Sequence, residues 1–200
     1  YVQDLTPVVV TRSTGDKESS DIYSAAFAPK VIIGDEAGVE YPAWVVYLMN
    51  FAYYKSRFAD WYAFAGSIRG VPTVSISPKF KIGDSDNDLL QAREADEVKK
   101  IASTHKSCNT ISNIRPYGNI VWGNRTLKNI SEGLVATSFL NIRQLCCTLK
   151  KVIYKACKRF TFEPNSDVLW YNFKNVVVET LDEMKSDNGI RGYNIIKSKD

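Results

Sequence analysis

The chain has 200 residues, 44% hydrophobic and 24% charged, with 26 Lys and Arg against 22 Asp and Glu and a formal charge of +4. That length suits one large domain, or one domain with extensions, and buries a substantial core. The composition is that of an ordinary soluble globular protein, and +4 is too mild an excess to imply a nucleic-acid partner by itself.

In chain order, residues 1–10 cluster β-formers and predict an extended arm or strand. Residues 11–21 are small and polar and predict a loop or linker. Tyr23–Ile33 is apolar with Pro29 inside it, which predicts an edge strand, and Gly34–Gly38 a turn. Pro42 opens a helix predicted over Ala43–Tyr62. Its Trp44, Tyr47, Phe51, Tyr54, Phe58 and Trp61 recur at spacings of 3 and 4, an aromatic stripe read as core. Ala65–Pro78 predicts a loop holding a short strand, Val71–Ile76.

Asp84, Asp86 and Asp88 spell the opening of a calcium loop, but Leu89 and Ala95 stand where that loop needs glycine and glutamate. These acids instead suit the start of a helix predicted over Asp88–His105, with Leu90, Val98, Ile101 and Ala102 inward. His105 then sits near that helix's C-terminus, where it serves terminal carbonyls rather than catalysis. Two short strands, Ile111–Pro116 and Gly118–Trp122, flank a Pro-Tyr-Gly turn, and residues 124–133 form a polar loop. The clearest amphipathic pattern follows: Ile142, Leu145, Cys146, Leu149, Val152, Ile153, Ala156 and Phe160 predict a helix over Ser138–Phe160. Asn165 or Ser166 caps the next helix, which packs Leu169, Trp170, Phe173, Val177, Leu181 and Met184 and stops at Gly189. Tyr193–Ile196 predicts a last strand.

The four cysteines include no CxxC pair, and one histidine completes no zinc set with them. Cys146 and Cys157 lie ~16 Å apart along a helix, beyond disulfide reach. Reduced, mostly buried thiols are the expectation. No signal peptide and no membrane-length apolar run is present. The sequons at Asn124 and Asn129 carry no weight without a secretion signal. The chain opens at Tyr1 inside one strand-like phrase and closes after another, so a fragment of a longer protein is expected.

No phosphate loop, dinucleotide fingerprint or nucleophile elbow appears. The acids at Glu94, Asp96, Glu97, Glu179, Asp182 and Glu183 alternate with lysines on helices, as solvated faces do. No enzyme, cofactor or metal is expected. What remains is charge with a position. Lys151, Lys155 and Lys158 recur at i, i+4 and i+7 on the 138–160 helix, flanked by Arg143, Lys150 and Arg159. The strip is either a solvated lysine face or a docking strip for an acidic partner.

Four phrases resemble the C-terminal core of contractile phage tail sheath proteins and related injection machines. Asn119–Leu127 (NIVWGNRTL), carrying Trp122, Gly123, Asn124, Arg125 and Thr126, is similar to their VWGxRTL phrase. Leu140–Leu145, with Asn141 and Arg143, is similar to xNVRRL, with Ile142 for Val and Gln144 for the second Arg. Phe162, Glu163, Pro164 and Asn165 match FEPN, and a helix bearing Trp170 follows. Asn188–Tyr193 (NGIRGY) resembles the GALxGY that follows that helix, and weaker likenesses at Tyr23–Pro29 and Arg57–Gly70 keep the family's order over roughly residues 20–195.

The resemblance implies a mixed α/β (α+β) fold, a mixed sheet flanked by amphipathic helices, of the sheath inner-domain type. Residues 1–20 would be an arm or linker and 21–200 the tube-facing core. It implies a helical homo-oligomer held by strand exchange around a tail tube protein. Baseplate and tail terminator proteins would complete the partners, with no direct nucleic acid and no membrane. The particle would be a virion assembled in the host cytoplasm, and its function contraction that drives the tube through the host envelope. A sheath initiator or baseplate-proximal component with the same core is the alternative. The resemblance turns the basic strip toward the tube. Arg143 belongs either to that strip or to a structural tie between its helix and the Asn124–Thr126 loop. Rival readings are a nucleic-acid module, for which Tyr154 is the strip's one aromatic, and an α/β enzyme for which no residue set stands out.

Overall fold

A computed structural model describes residues 22–34, 38–91, 107–128 and 135–197. The predicted arm, most of the Asp88–His105 helix with His105 itself, and the sequon at Asn129 lie outside the described residues. The chain divides into two compact units. The first takes residues up to Phe58 and Ala63–Arg143; the second takes Ala59–Tyr62 and the chain from Gln144 on.

The first unit is built on two three-stranded sheets. Strand β1 (Ala26–Ala28) pairs parallel with β5 (Cys108–Ile114), which pairs antiparallel with β6 (Gly118–Trp122). Strand β2 (Val31–Ile33) lies between β3 (Glu40–Tyr41) and β4 (Ile76–Pro78), antiparallel to both. The single edge strand expected over Tyr23–Ile33 is therefore two strands in two sheets. Pro29 stands between them, fully buried, and without an N–H it cannot carry one ladder through. The β5–β6 hairpin turns at Pro116-Tyr117, and Gly118 takes φ +77° there.

Helix α1 (Ala43–Tyr54) starts after Pro42 and ends well short of Tyr62. Arg69 holds the chain beyond it, its guanidinium 5.2 Å from the Phe58 ring centroid and its Nε donating to Ala63 O at 2.8 Å. Along the aromatic stripe, Tyr47 is buried and Phe51 and Tyr54 pack against a core of Val31, Val46, Phe64, Ile76, Ile111 and Val121. Helix α2 (Gly66–Arg69) ends at Gly70, where a Cβ would meet Val121 O at 2.4 Å, so glycine lets the backbones approach. The expected strand Val71–Ile76 is displaced to Ile76–Pro78, the stretch that pairs with β2.

Helix α3 (Asp84–Gln91) starts at the aspartates, with Asp84 and Asp86 in its first turn as the dipole favours. It meets β5 and the end of β6 through polar groups. Asn87 Oδ1 accepts from Thr110 Oγ1 and, at 3.0 Å, from Ser112 Oγ, while Gln91 Nε2 donates to Trp122 O at 2.8 Å.

Helix α4 (Leu140–Lys158) follows a 3-10 turn at Ala136–Ser138. Helix α5 (Asp167–Ser186) is capped by Ser166, whose Oγ accepts from Leu169 N at 3.1 Å. It ends in a Schellman arrangement: Gly189 N donates to Met184 O, Asn188 N to Lys185 O, and Asn188 takes φ 58°. Glycine is needed at 189 for packing, because a Cβ there would sit 2.9 Å from the Trp61 ring. In the second unit Ala156, Val177 and Leu181 form a core joined by Leu149, Phe173, Val176, Ile190 and Ile195. Trp61 Nε1 donates to Asp187 O at 3.1 Å, so this last aromatic of the stripe serves the second unit. No strand forms over Tyr193–Ile196. The extended chain spends its side chains on α5 instead, Tyr193 Oη donating to Asp182 Oδ1 at 2.6 Å and Lys197 pairing with Asp167 at 2.9 Å.

Candidate functional site

The phrase that follows β6 is a clamp on the N-terminus of α4. Asn109, fully buried on β5, holds it from below. Its Nδ2 donates to Ala26 O at 3.1 Å and Arg125 O at 2.9 Å, and its Oδ1 accepts from Arg125 N at 2.7 Å. Gly123 makes that approach possible. Its φ is +152°, and a Cβ there would lie 2.7 Å from Asn109 Oδ1. Asn124 then reaches the helix. Its Nδ2 donates to Asn141 Oδ1 at 2.6 Å, its Oδ1 accepts from Asn141 N at 3.2 Å, and its carbonyl accepts from Leu140 N at 3.1 Å. Thr126 closes the clamp, bonding Ser138 O through its N–H and Thr137 O through its hydroxyl, both at 3.0 Å. The Arg125 guanidinium lies 4.4 Å from the Phe139 ring centroid.

Two sequence phrases are thus one interlock, which satisfies the amides of Leu140 and Asn141 at the start of a long helix. Asn109 and Phe139 are parts of it that the sequence reading missed. The available signal was β5 itself, where Asn109, Thr110 and Ser112 place polar groups on both faces of a central strand. A cleft of about 320 Å³ opens beside the clamp, lined among others by Gly66, Gln91, Trp122 and Phe139.

Arg143 stands apart from the other cations. It is 7% exposed, and its guanidinium lies 3.6 Å from the Tyr23 ring centroid. That corrects its place in the basic strip, because a buried side chain shares no solvent face. Of the alternative tie, its side chain makes no hydrogen bond to the Asn124–Thr126 loop among the described residues, and its ring partner is Tyr23.

Lys150, Lys151, Lys155, Lys158 and Arg159 are all exposed. Lys158 Nζ sits 4.9 Å from the Tyr154 ring centroid. The side chains of Lys151, Lys155 and Arg159 make no ion pair or hydrogen bond among the described residues, and α4 contains no acidic residue. Its core face carries Leu145 and Ala156 instead. The helix therefore presents a one-signed face to solvent, salt-sensitive and suited to steering an acidic surface.

The loop to α5 holds Phe162, Glu163, Pro164 and Asn165, all exposed, with Phe162 99% so. Phe160 and Trp170 point the other way, their ring centroids 6.1 and 5.8 Å from that of Phe173.

Titration is perturbed away from this face. A hydrogen bond from Lys79 holds the Glu40 carboxyl below its ordinary value, and Lys197 does the same for Asp167. The bond to Asp182 raises Tyr193. Burial pushes the Cys108 thiol up to about 12. Among the described residues no cluster of His, Cys, Asp and Glu could hold a metal, and no helix is long and apolar enough to cross a membrane.

No family model and no curated protein matches the chain. Solved structures do. A chain of the PVC sheath complex of an extracellular contractile injection system, in its contracted state, superposes with a TM-score of 0.68 over 87% of this chain at 22% identity. The fold is that of a contractile sheath chain. The sheath fold recurs in a chain of the six-fold symmetrised anti-feeding prophage baseplate (TM-score 0.63, 20% identity, 82% of this chain). It recurs again in the contracted helical sheath of that prophage (TM-score 0.59, 19% identity, 81% of this chain). The chain spans 44%, 39% and 40% of the lengths of those three. The mixed α/β fold implied by the sequence resemblance is therefore observed.

Proposed function

We propose that this chain is the core of a structural, non-enzymatic subunit of a contractile sheath. The observation that carries this reading is the sheath fold over 87% of its length. In this reading copies polymerise helically around a tail tube and exchange terminal strands with their neighbours. Backbone ladders between chains supply that bond, and a contact that does not close on itself builds a helix rather than a ring. The extended assembly is the metastable state. Contraction repacks the subunits and drives the tube through the host envelope.

The basic face of α4 takes the tube as its partner in this reading. Its one sign supports that assignment, since α4 itself holds no acidic residue. Baseplate and tail terminator proteins would meet the two ends of the assembly. The particle is a phage tail, or an injection machine like those of the structural neighbours, assembled in the host cytoplasm. A second reading, a baseplate-proximal initiator that binds the tube without polymerising, draws on the likeness to the baseplate chain.

Negative-stain electron microscopy of the complete parent gene product, expressed alone, separates the two. Hollow striated tubes are expected of a sheath subunit. Monodisperse globular particles would overturn self-assembly and leave the initiator.

A further inference from the structure

Arg143 carries chemistry that neither the interlock nor the basic face uses. Its guanidinium is stacked on Tyr23, so one face of the plane is taken by a ring. Its Nε and Nη2 are shielded from solvent and donate to no oxygen among the described residues. Those two nitrogens form one edge of the guanidinium, the edge whose two N–H groups run parallel and match the two oxygens of a carboxylate. A permanent cation whose fork is hidden from water and bonded to nothing is costly, and an in-plane anion removes the cost. The stack on Tyr23 directs such a partner into the plane, which favours a flat carboxylate over a tetrahedral anion.

We propose that Arg143 is a carboxylate-binding residue: an Asp or Glu side chain docks in the plane of its guanidinium on Nε and Nη2. Two sources share this chemistry. One is the chain's own N-terminal stretch, which holds Asp4, Asp16, Glu18 and Asp21, the last only two residues before Tyr23. The other is an acidic side chain of another polypeptide. Docking at Arg143 would tie such a segment to the first turn of α4, directly beside the clamp.

The experiment uses the full chain with acetate as the probe. Thermal unfolding is compared in chloride and acetate at equal ionic strength, and the Arg143 Nε–H resonance is followed by NMR. If the fork accepts a carboxylate from outside, acetate raises the wild-type Tm by about 2–4 °C and shifts that resonance. Arg143→Gln and Arg143→Lys, which remove the fork, lose the Tm effect. If the chain's own N-terminal stretch supplies the group, wild type does not respond, while a full-length chain with Asp4, Asp16 and Asp21 changed to Asn and Glu18 to Gln does. The resonance reports directly on the fork even where a variant at 143 fails to fold. No response in either background, or an acetate effect that survives in Arg143→Gln, would overturn the proposal.

Discussion

Asn109 does with one side chain what a strand does with its backbone, donating twice and accepting once against Ala26 and Arg125. Replacing it by Ala leaves three enclosed backbone groups unsatisfied and should cost about 2–4 kcal/mol in denaturant unfolding. Asn109→Asp should be at least as damaging, because it turns the donor facing two carbonyls into an acceptor. Gly123→Ala should cost about as much, since its Cβ collides with Asn109 at a positive φ. Neither role was legible beforehand. VWGNRTL was visible as a phrase, but nothing local says that its glycine is there to make room for an asparagine 14 positions earlier. At Cys108 the thiol is pushed from 9.0 to about 12. The folded state then binds the proton more tightly than the unfolded chain, so stability is intact below pH 9.0 and declines as pH rises toward 12. Cys108→Ala should flatten that decline in pH-dependent unfolding. Cys157, which is exposed, should react with a thiol reagent well before Cys108.

At the scale of elements, α4 and α5 follow the sequence closely. The helix expected over Ser138–Phe160 runs over Leu140–Lys158, and of the two caps offered for the next helix Ser166 is the one used. Ser166→Ala should therefore cost about 1 kcal/mol. A 3.6-residue period over five turns is a strong local signal, which is why these two were legible. Where the partner lies far away in sequence, the period misleads. Trp61 keeps the spacing of α1 but belongs with α5, and Tyr193–Ile196 has strand-like residues but pairs with no strand among the described residues. The exposed face of α4 makes a separate prediction. Changing Lys151, Lys155 and Lys158 to Glu should leave the melting temperature nearly unchanged, because the side chains are exposed. If the tail tube is this face's partner, the change should lower affinity for the tube at low salt by on the order of tenfold or more. Unchanged co-sedimentation with tubes would remove this face from the contact.

For the whole molecule, the question is what its exposed groups meet in an assembly. Phe162 is 99% exposed, so Phe162→Ala should change the stability of the isolated chain by no more than about 0.5 kcal/mol. If the FEPN loop is buried between copies, the same change should reduce sheath tubes on electron-microscope grids. Equal yields would place the loop outside the contact.

The sequence by itself determined the two long helices, the β6 strand, the cationic face and the order of phrases that pointed to the sheath fold. These follow from local periodicity, capping and spacing, which are written within a few turns of chain. Only the tertiary structure decided that Tyr23–Ile33 divides between two sheets, that Asn109 and Asn124 lock β6 to α4, and that Arg143 leaves the basic face to stack on Tyr23. Each of these depends on contacts between distant residues, from Asn109–Arg125, 16 positions apart, to Tyr23–Arg143, 120 apart. Pairings of that kind are fixed by packing and by the need to satisfy buried polar groups, and no window along the chain contains both partners.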